Sequence, residues 1–394
     1  MSERKKIFVL VSRVPFPLEK GDKLRAYHQI KGLAKDHDVY LVALTDQNLH
    51  PEAMETLQTF CKEVYVFRLR LFQIFMQLLR GYFSSKPYQV NYFFNRRIKR
   101  KVNQLIEEIQ PDRIYCQLIR MAEYVKQINT IPKTIDYMDA FSKGIERRIK
   151  TSPWFMRDLF KQEYPRLKNY EHLMYHYFEH HTIISEQDRE FIAHEENEHI
   201  YIVPNGVDTD FFKAYEAEKK YDLVFTGNMN YSPNIDCAVY IVEKILPLVK
   251  VKFPEITLLI SGAQPSARVK ALASENITVT GWVSDIRESF ANSRIFLAPM
   301  QIGTGLQNKL LEAMSMSLPC ITSPLANHAL GAPENTTILV GYTAKEIADH
   351  VIDLIEHPEK SERLARNGHQ FVLDNFSWET HNKKLENIIL YGKP

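Results

Sequence analysis

The sequence predicts an α/β protein made of two doubly wound, Rossmann-like parallel sheets that face each other across a cleft. Three observations carry that expectation. The chain has 394 residues, 45% hydrophobic and 25% charged, and at roughly 150 residues per domain this amounts to two ordinary domains, each able to bury its own core. Short β-branched runs alternate with helical stretches along the whole length, which is the pattern of βαβ units. A single Pro-Asn-Gly turn within PNGVDTDFF, residues 204–212, separates one series of strands from the next.

In the first series, strands are expected at 6–12, 39–45, 63–69, 113–117, 133–138, 182–185 and 199–203; in the second, at 222–226, 256–261, 277–281, 295–299, 319–322 and 336–340. The domains are then 1–204 and 205–377, with a last helix near 378–390 following Trp378 and the segment 378–394 packing back on the first domain. In open α/β sheets, ligands lie beyond the carboxyl ends of the strands, so the residues just after each strand are the ones to read for chemistry.

Charge divides the chain unevenly. Residues 1–170 hold 31 Lys/Arg and 18 Asp/Glu, a net of +13; subtracting from totals of 50 and 48 leaves 19 and 30, a net of −11, for 171–394. The first half therefore faces something anionic. Within it, residues 68–101 hold nine Lys/Arg, no acid and a dense set of Phe and Tyr. Such a segment can meet an anionic membrane surface, its cations on phosphates and its rings in the headgroup layer, or it can simply pack a helical subdomain with solvated charges. No nucleic-acid recognition motif accompanies the charge, so no nucleic-acid partner is expected. The apolar run IFVLVS after MSERKK has strand length and no cleavage site, and no apolar stretch nears the ~18 residues needed to span a bilayer. Cys61, Cys116, Cys237 and Cys320 lie far apart in apolar surroundings and read as reduced core thiols in the cytoplasm.

The most informative stretch is QIGTGLQNKLLEAMSMSLPCITS, after the strand RIFLAPM. Gly303 and Gly305 let the backbone bend closely around a ligand, with Thr304 between them. A helix starting near Leu306 and Gln307 would aim unpaired amides and its positive dipole end at an anion. Lys309 and Glu312 follow on one face of that helix. A lysine neutralises a diphosphate and a carboxylate accepts two ribose hydroxyls, so the pair reads as a nucleotide site, or as a helix start with a surface ion pair. Thr226, Gly227 and Asn228 follow another strand in FTGNMNYSPNID and offer a second side to the phosphates. Gly281, Trp282 and Val283 sit in a turn whose main chain could read a base edge, with the indole either covering a ring or buried in the core.

FTGNMNYSPNID, ITVTGWVSDIRESF, APMQIGTGLQNKLLEAMSMSLPCITS and FSWE, in that order, resemble family 4 glycosyltransferases of the GT-B fold. SRVPFPLEKGDKLRAYHQIKGLA, YCQLIRMAEYV, IDYMDAFS, IISEQD and VPNGVDTDFF resemble the bacterial branch of that family linked to exopolysaccharide assembly. The resemblance implies a nucleotide diphosphate-sugar donor held mainly by the second domain, a glycan or lipid-linked acceptor, retention of anomeric configuration, and no cofactor or obligatory metal. The later glutamate of the family's Glu-x7-Glu motif corresponds to Glu312, whereas Thr304 stands where the earlier one does. Lys309 then becomes the diphosphate ligand. Gly21 corresponds to a glycine loop that approaches the donor phosphates or the acceptor, with Arg25 as added positive charge or part of a solvated helix. Asp139 falls near the family's polar residue at the reacting centre, or caps the next helix.

Two other patterns have simpler readings. Asp208-Thr-Asp210 imitates a metal-binding Asp-x-Asp but lies in the domain crossover. His172, His176 and His180 recur every four residues, as zinc ligands on a helix face would, yet the interleaved tyrosines and the missing fourth ligand favour a packed helix. A sugar-nucleotide epimerase or hydrolase, and a non-catalytic membrane-surface assembly subunit, are the competing functional readings.

Overall fold

The structure, a computed structural model, describes residues 4–18, 21–151, 154–302 and 306–394. The chain divides into two compact units, Met1–Asn205 with Trp378–Pro394, and Gly206–Ser377.

The first unit holds a seven-stranded sheet of β1 (Lys6–Val11), β2 (Asp38–Thr45), β3 (Glu63–Arg68), β4 (Arg113–Gln117), β5 (Lys133–Asp136), β6 (His180–Ile183) and β7 (Tyr201–Ile202). The order is β3-β2-β1-β4-β5-β6-β7, and every pairing is parallel. Buried parallel strands read as unbroken apolar runs because both faces are covered. β1 shows this directly: Ile7, Val9 and Val11 enter one core cluster, while Phe8 and Leu10 enter the other. The strand expected at 182–185 begins two residues earlier, where the buried Thr182 and Ile183 pair with Tyr201 and Ile202.

The last helix, Trp378–Tyr391, belongs to this unit. Trp378 stacks on His28 with ring centroids 4.8 Å apart, and Asn382 donates to the His28 carbonyl at 2.9 Å. A side chain at Gly32 would collide with Asn382, so a glycine permits the helix Gly21–Asp36 to lie this close. Arg113 donates to the terminal carbonyls of Ile389 and Leu390, completing acceptors that a helix end leaves open.

The second unit holds β8 (Tyr221–Thr226), β9 (Leu258–Ser261), β10 (Ile277–Val279), β11 (Ser293–Ala298), β12 (Cys320–Thr322) and β13 (Leu339–Val340). Their order is β10-β9-β8-β11-β12-β13, again all parallel. Both units are thus doubly wound α/β domains. The strand order reverses between β1 and β4 in one unit and between β8 and β11 in the other, and loops that leave such a pair in opposite directions open a crevice between them. Among the described residues, no helix is long and apolar enough to cross a membrane.

Candidate functional site

In the second unit, the reversal point brings Lys309 together with Phe225 and Asn234. Lys309 and Glu312 lie on the helix Asn308–Ser315, which follows β11 and begins two residues later than its sequence suggests. Leu306 packs partly buried against the core and Gln307 occupies the N-cap. Lys309 therefore sits in the first turn. Its half-buried ammonium donates to Asn234 Oδ1 at 2.5 Å and stands 5.1 Å over the Phe225 ring. Among the described residues it has no carboxylate partner within 4.0 Å. Burial lowers its pKa, opposed by Cys237 and Glu312. The Glu312 carboxyl makes no hydrogen bond to a described residue, and burial pushes its pKa up to about 7 against the pull of Lys309.

Asn234, which sequence reasoning missed, connects this helix to the β8 turn. It lies in the first turn of the helix Ser232–Tyr240, accepts from Lys309, and donates through Nδ2 to the Asn228 carbonyl at 2.9 Å. The signal was present in SPNID, a polar side chain in the first turn after a strand-end loop. Thr226 is buried, and its Oγ1 has no hydrogen-bond partner among the described residues. Gly227 has φ +155°, and its carbonyl lies so near Gly262 that a Cβ there would meet it at 1.9 Å. Two strand-end turns thus touch backbone to backbone, which only glycine allows. The Gly262 amide in turn donates to Thr280 Oγ1 at 3.3 Å, joining the turn that carries Gly281, Trp282 and Val283. Trp282 is 76% exposed, so it does not belong to the core. Gly303, Thr304 and Gly305 lie outside the described residues.

In the first unit, the carboxyl edge of the sheet gathers charges of both signs. Asp139 follows β5, and although the residue reaches the surface, the protein packed around its carboxyl and the nearby Asp188 raise its pKa to about 6. Arg120 follows β4, donates to Gln89 Oε1 at 2.6 Å, and lies over the rings of Phe141 and Phe93. Burial, and Arg13 across the reversal point, bring its pKa down to about 10. Arg13 follows β1 and pairs with Asp22 at 2.5 Å. Neither arginine was singled out from sequence, though each stands just after a strand. Gly21 opens the Gly21–Asp36 helix, and a Cβ there would meet nothing within 4 Å.

Arg25 requires a correction. It was a candidate phosphate ligand, but its side chain is 0% exposed and ion-paired with Asp136, Nε to Oδ2 at 2.7 Å. Nη2 donates to the other carboxylate oxygen at 3.2 Å and Nη1 to Asn205 Oδ1 at 3.0 Å. The helix face that looked solvated in the sequence turns inward, because Asp136 at the end of β5 supplies a buried countercharge. Arg25 fastens the end of the unit's chain rather than a ligand.

Part of the chain matches a known family, and nearly all of it matches solved structures. The sequence profile of the family Glycosyl transferases group 1 matches residues 220–357. An uncharacterized 44.6 kDa protein in the cps region of Klebsiella pneumoniae is 22% identical, over 94% of this chain and 96% of its own length. A glycosyltransferase from Rickettsia africae superposes with a TM-score of 0.68 at 12% identity, covering 98% of each chain. The Anabaena protein HepE, solved in complex with UDP and glucose, gives 0.65 at 13% identity over 98% of this chain and 100% of its own. Residues 220–357 thus resemble the family Glycosyl transferases group 1, and over nearly its whole length the chain shares the GT-B fold of these solved structures.

Proposed function

We propose that this protein is a retaining glycosyltransferase that moves a sugar from a nucleotide diphosphate-sugar to a hydroxyl of a glycan or lipid-linked acceptor in cell-surface polysaccharide synthesis, without an obligatory metal. The observation that carries the reading is Lys309: a half-buried ammonium at a reversal point, held by a neutral amide rather than a carboxylate. A cation placed so, with no carboxylate bonded to it among the described residues, favours an incoming diphosphate.

In this mechanism Lys309 stabilises the diphosphate as the bond from the sugar C1 to the phosphate oxygen breaks. The acceptor oxygen bonds to C1 on the same face, and the departing phosphate oxygen takes the hydroxyl proton. Thr226, Gly227 and Asn228, with the backbone of Gly303, Thr304, Gly305, Leu306 and Gln307, hold the phosphates. Glu312 accepts the ribose hydroxyls, while the main chain at Gly281–Val283 meets the base and Trp282 covers it. Gly21 approaches the donor, and Asp139 is assigned to the reacting centre. A recess of about 250 Å³ on the carboxyl edge of the first sheet, lined by Arg13, Phe16, Lys23, Thr45, Asp46 and His50 among others, suits the acceptor. Incubation of the protein with donor alone and with donor plus lipid-linked saccharide tests the reaction. A new glycosidic bond of the donor's anomeric configuration, formed with acceptor present, is expected. Inverted product, or turnover of donor without any acceptor, would refute transfer with retention.

The acceptor lies at the inner face of a membrane in this reading, and the cytoplasmic protein docks there through residues 68–101. The helix Leu71–Tyr82 buries Ile74 and Gly81 but exposes Leu71, Phe72, Phe75, Leu79 and Tyr82, followed by Phe83 at 86% exposure. Arg70, Arg80, Arg96, Arg97, Arg100 and Lys101 are exposed on the same segment. Apolar rings beside cations fit an anionic lipid surface, each cation near it contributing about 1 kcal/mol. Co-flotation with phosphatidylglycerol vesicles should be lost in a Phe72→Ser, Phe75→Ser variant; undiminished flotation would remove this surface.

A further inference from the structure

We infer that the first unit holds a three-histidine site for a divalent transition metal of the zinc class, on the sheet edge opposite Asp139. Residues 172 and 176 lie at the carboxyl end of the long helix Trp154–Tyr175 and in the turn that follows it. The expected third member, His180, instead begins β6. Its place is taken by His194, in the connection between the helix Glu186–Phe191 and β7.

One ligand nitrogen from each of His172, His176 and His194 lies within 4.8 Å of the other two. Tetrahedral ligands at about 2.0–2.1 Å from zinc stand ~3.3 Å apart, so a side-chain adjustment of ~1 Å closes the set. Imidazoles suit zinc, copper, nickel and cobalt.

The surroundings orient two of the rings. His172 Nδ1 donates to the Ala193 carbonyl at 2.7 Å, which fixes the tautomer that leaves Nε2 for a metal, as outer-shell carbonyls do in known sites. Tyr175 stacks between His194, with centroids 3.7 Å apart, and His181 at 4.1 Å. The Glu196 amide donates to His194 Nδ1 at 3.1 Å. Coordination through Nε2 places the ring proton on Nδ1 and turns that exposed amide to water. His176 is exposed, so the fourth coordination position opens to solvent. Helix ends and incoming loops define this edge, where β6 and β7 start; the sugar-transfer residues follow strand ends. The metal therefore ties a helix to a loop and takes no part in transfer.

The test is titration of the full-length protein with Co²⁺, read by visible absorption, and with Zn²⁺, read by calorimetry and thermal shift. One ion per chain is expected, with a higher melting temperature on Zn²⁺ addition. His176→Ala and His194→Ala should each weaken binding more than about tenfold and abolish that shift, while His357→Ala on the other unit leaves both unchanged. Failure of the wild type to bind either ion, or wild-type affinity in His176→Ala and His194→Ala, would overturn the site. Nucleoside diphosphate affinity measured with and without Zn²⁺ stays constant; a change would refute its separation from the transfer site.

Discussion

The two sheets have the same parallel topology, yet Lys309 at the carboxyl edge of one and Arg25 at that of the other are held in opposite ways. In the second unit Lys309 rests on a neutral group, Asn234, which in turn holds the Asn228 carbonyl. In the first unit Arg13 is met by Asp22 and Arg25 by Asp136, while Arg120 rests on the Gln89 amide. An unneutralised cation in a crevice attracts an anion, whereas a neutralised one fixes the chain. The contrast teaches that a basic residue after a strand is not by itself a phosphate ligand. What decides is whether the fold has already supplied its countercharge.

The largest effect that would sharpen this contrast is on stability. Arg25→Ala leaves Asp136 buried and unpaired, and losses of this kind reach about 3–5 kcal/mol. Chemical denaturation should register that loss while nucleoside diphosphate affinity of the folded fraction stays at the wild-type value. Lost affinity in folded Arg25→Ala would break the comparison. Lys309→Ala should do the reverse, sparing the fold and removing about 2–4 kcal/mol of charge stabilisation, or roughly 30- to 1000-fold in rate. Wild-type turnover in that variant would end its assignment.

A smaller, pH-dependent effect concerns Glu312. An unfolded glutamate ionises near about 4.3, and burial holds the folded carboxyl at about 7. The unfolded chain thus releases this proton first, so the group's contribution destabilises the fold progressively as pH rises from about 4 to 7. Glu312→Gln should remove that slope. Nucleotide affinity should rise as pH passes 7 and the carboxylate forms, and the rise should flatten in the same variant. An identical affinity profile in both proteins would take Glu312 out of the ribose contact.

Much of the fold was legible because the strands are buried on both faces and therefore spell themselves as continuous apolar runs, as KIFVLV and YDLVFT do. Among the described residues, thirteen strands stand within a few residues of their expected places. The segment 68–101 was legible only in part. Its composition admitted both packing and exposure, and the fold uses both: Phe93 is in the core while Phe72, Phe75 and Phe83 are outside. Asn234 and Arg120 escaped notice because an amide or an arginine after a strand has many ordinary uses, and only the partner reached through space selects one.

The sequence by itself determined the alternation of strand and helix, the division at the Pro-Asn-Gly turn, and the presence of a lysine and a glutamate one turn apart after an apolar strand. These depend on neighbours along the chain, where periodicity and turn chemistry act. Only the tertiary structure decided that Arg25 is a buried tie, that Lys309 leans on Asn234, and that His194 rather than His180 joins His172 and His176. Each of those outcomes turns on a partner dozens of residues away or on another element. Burial and countercharge are set by what packs against a side chain in three dimensions.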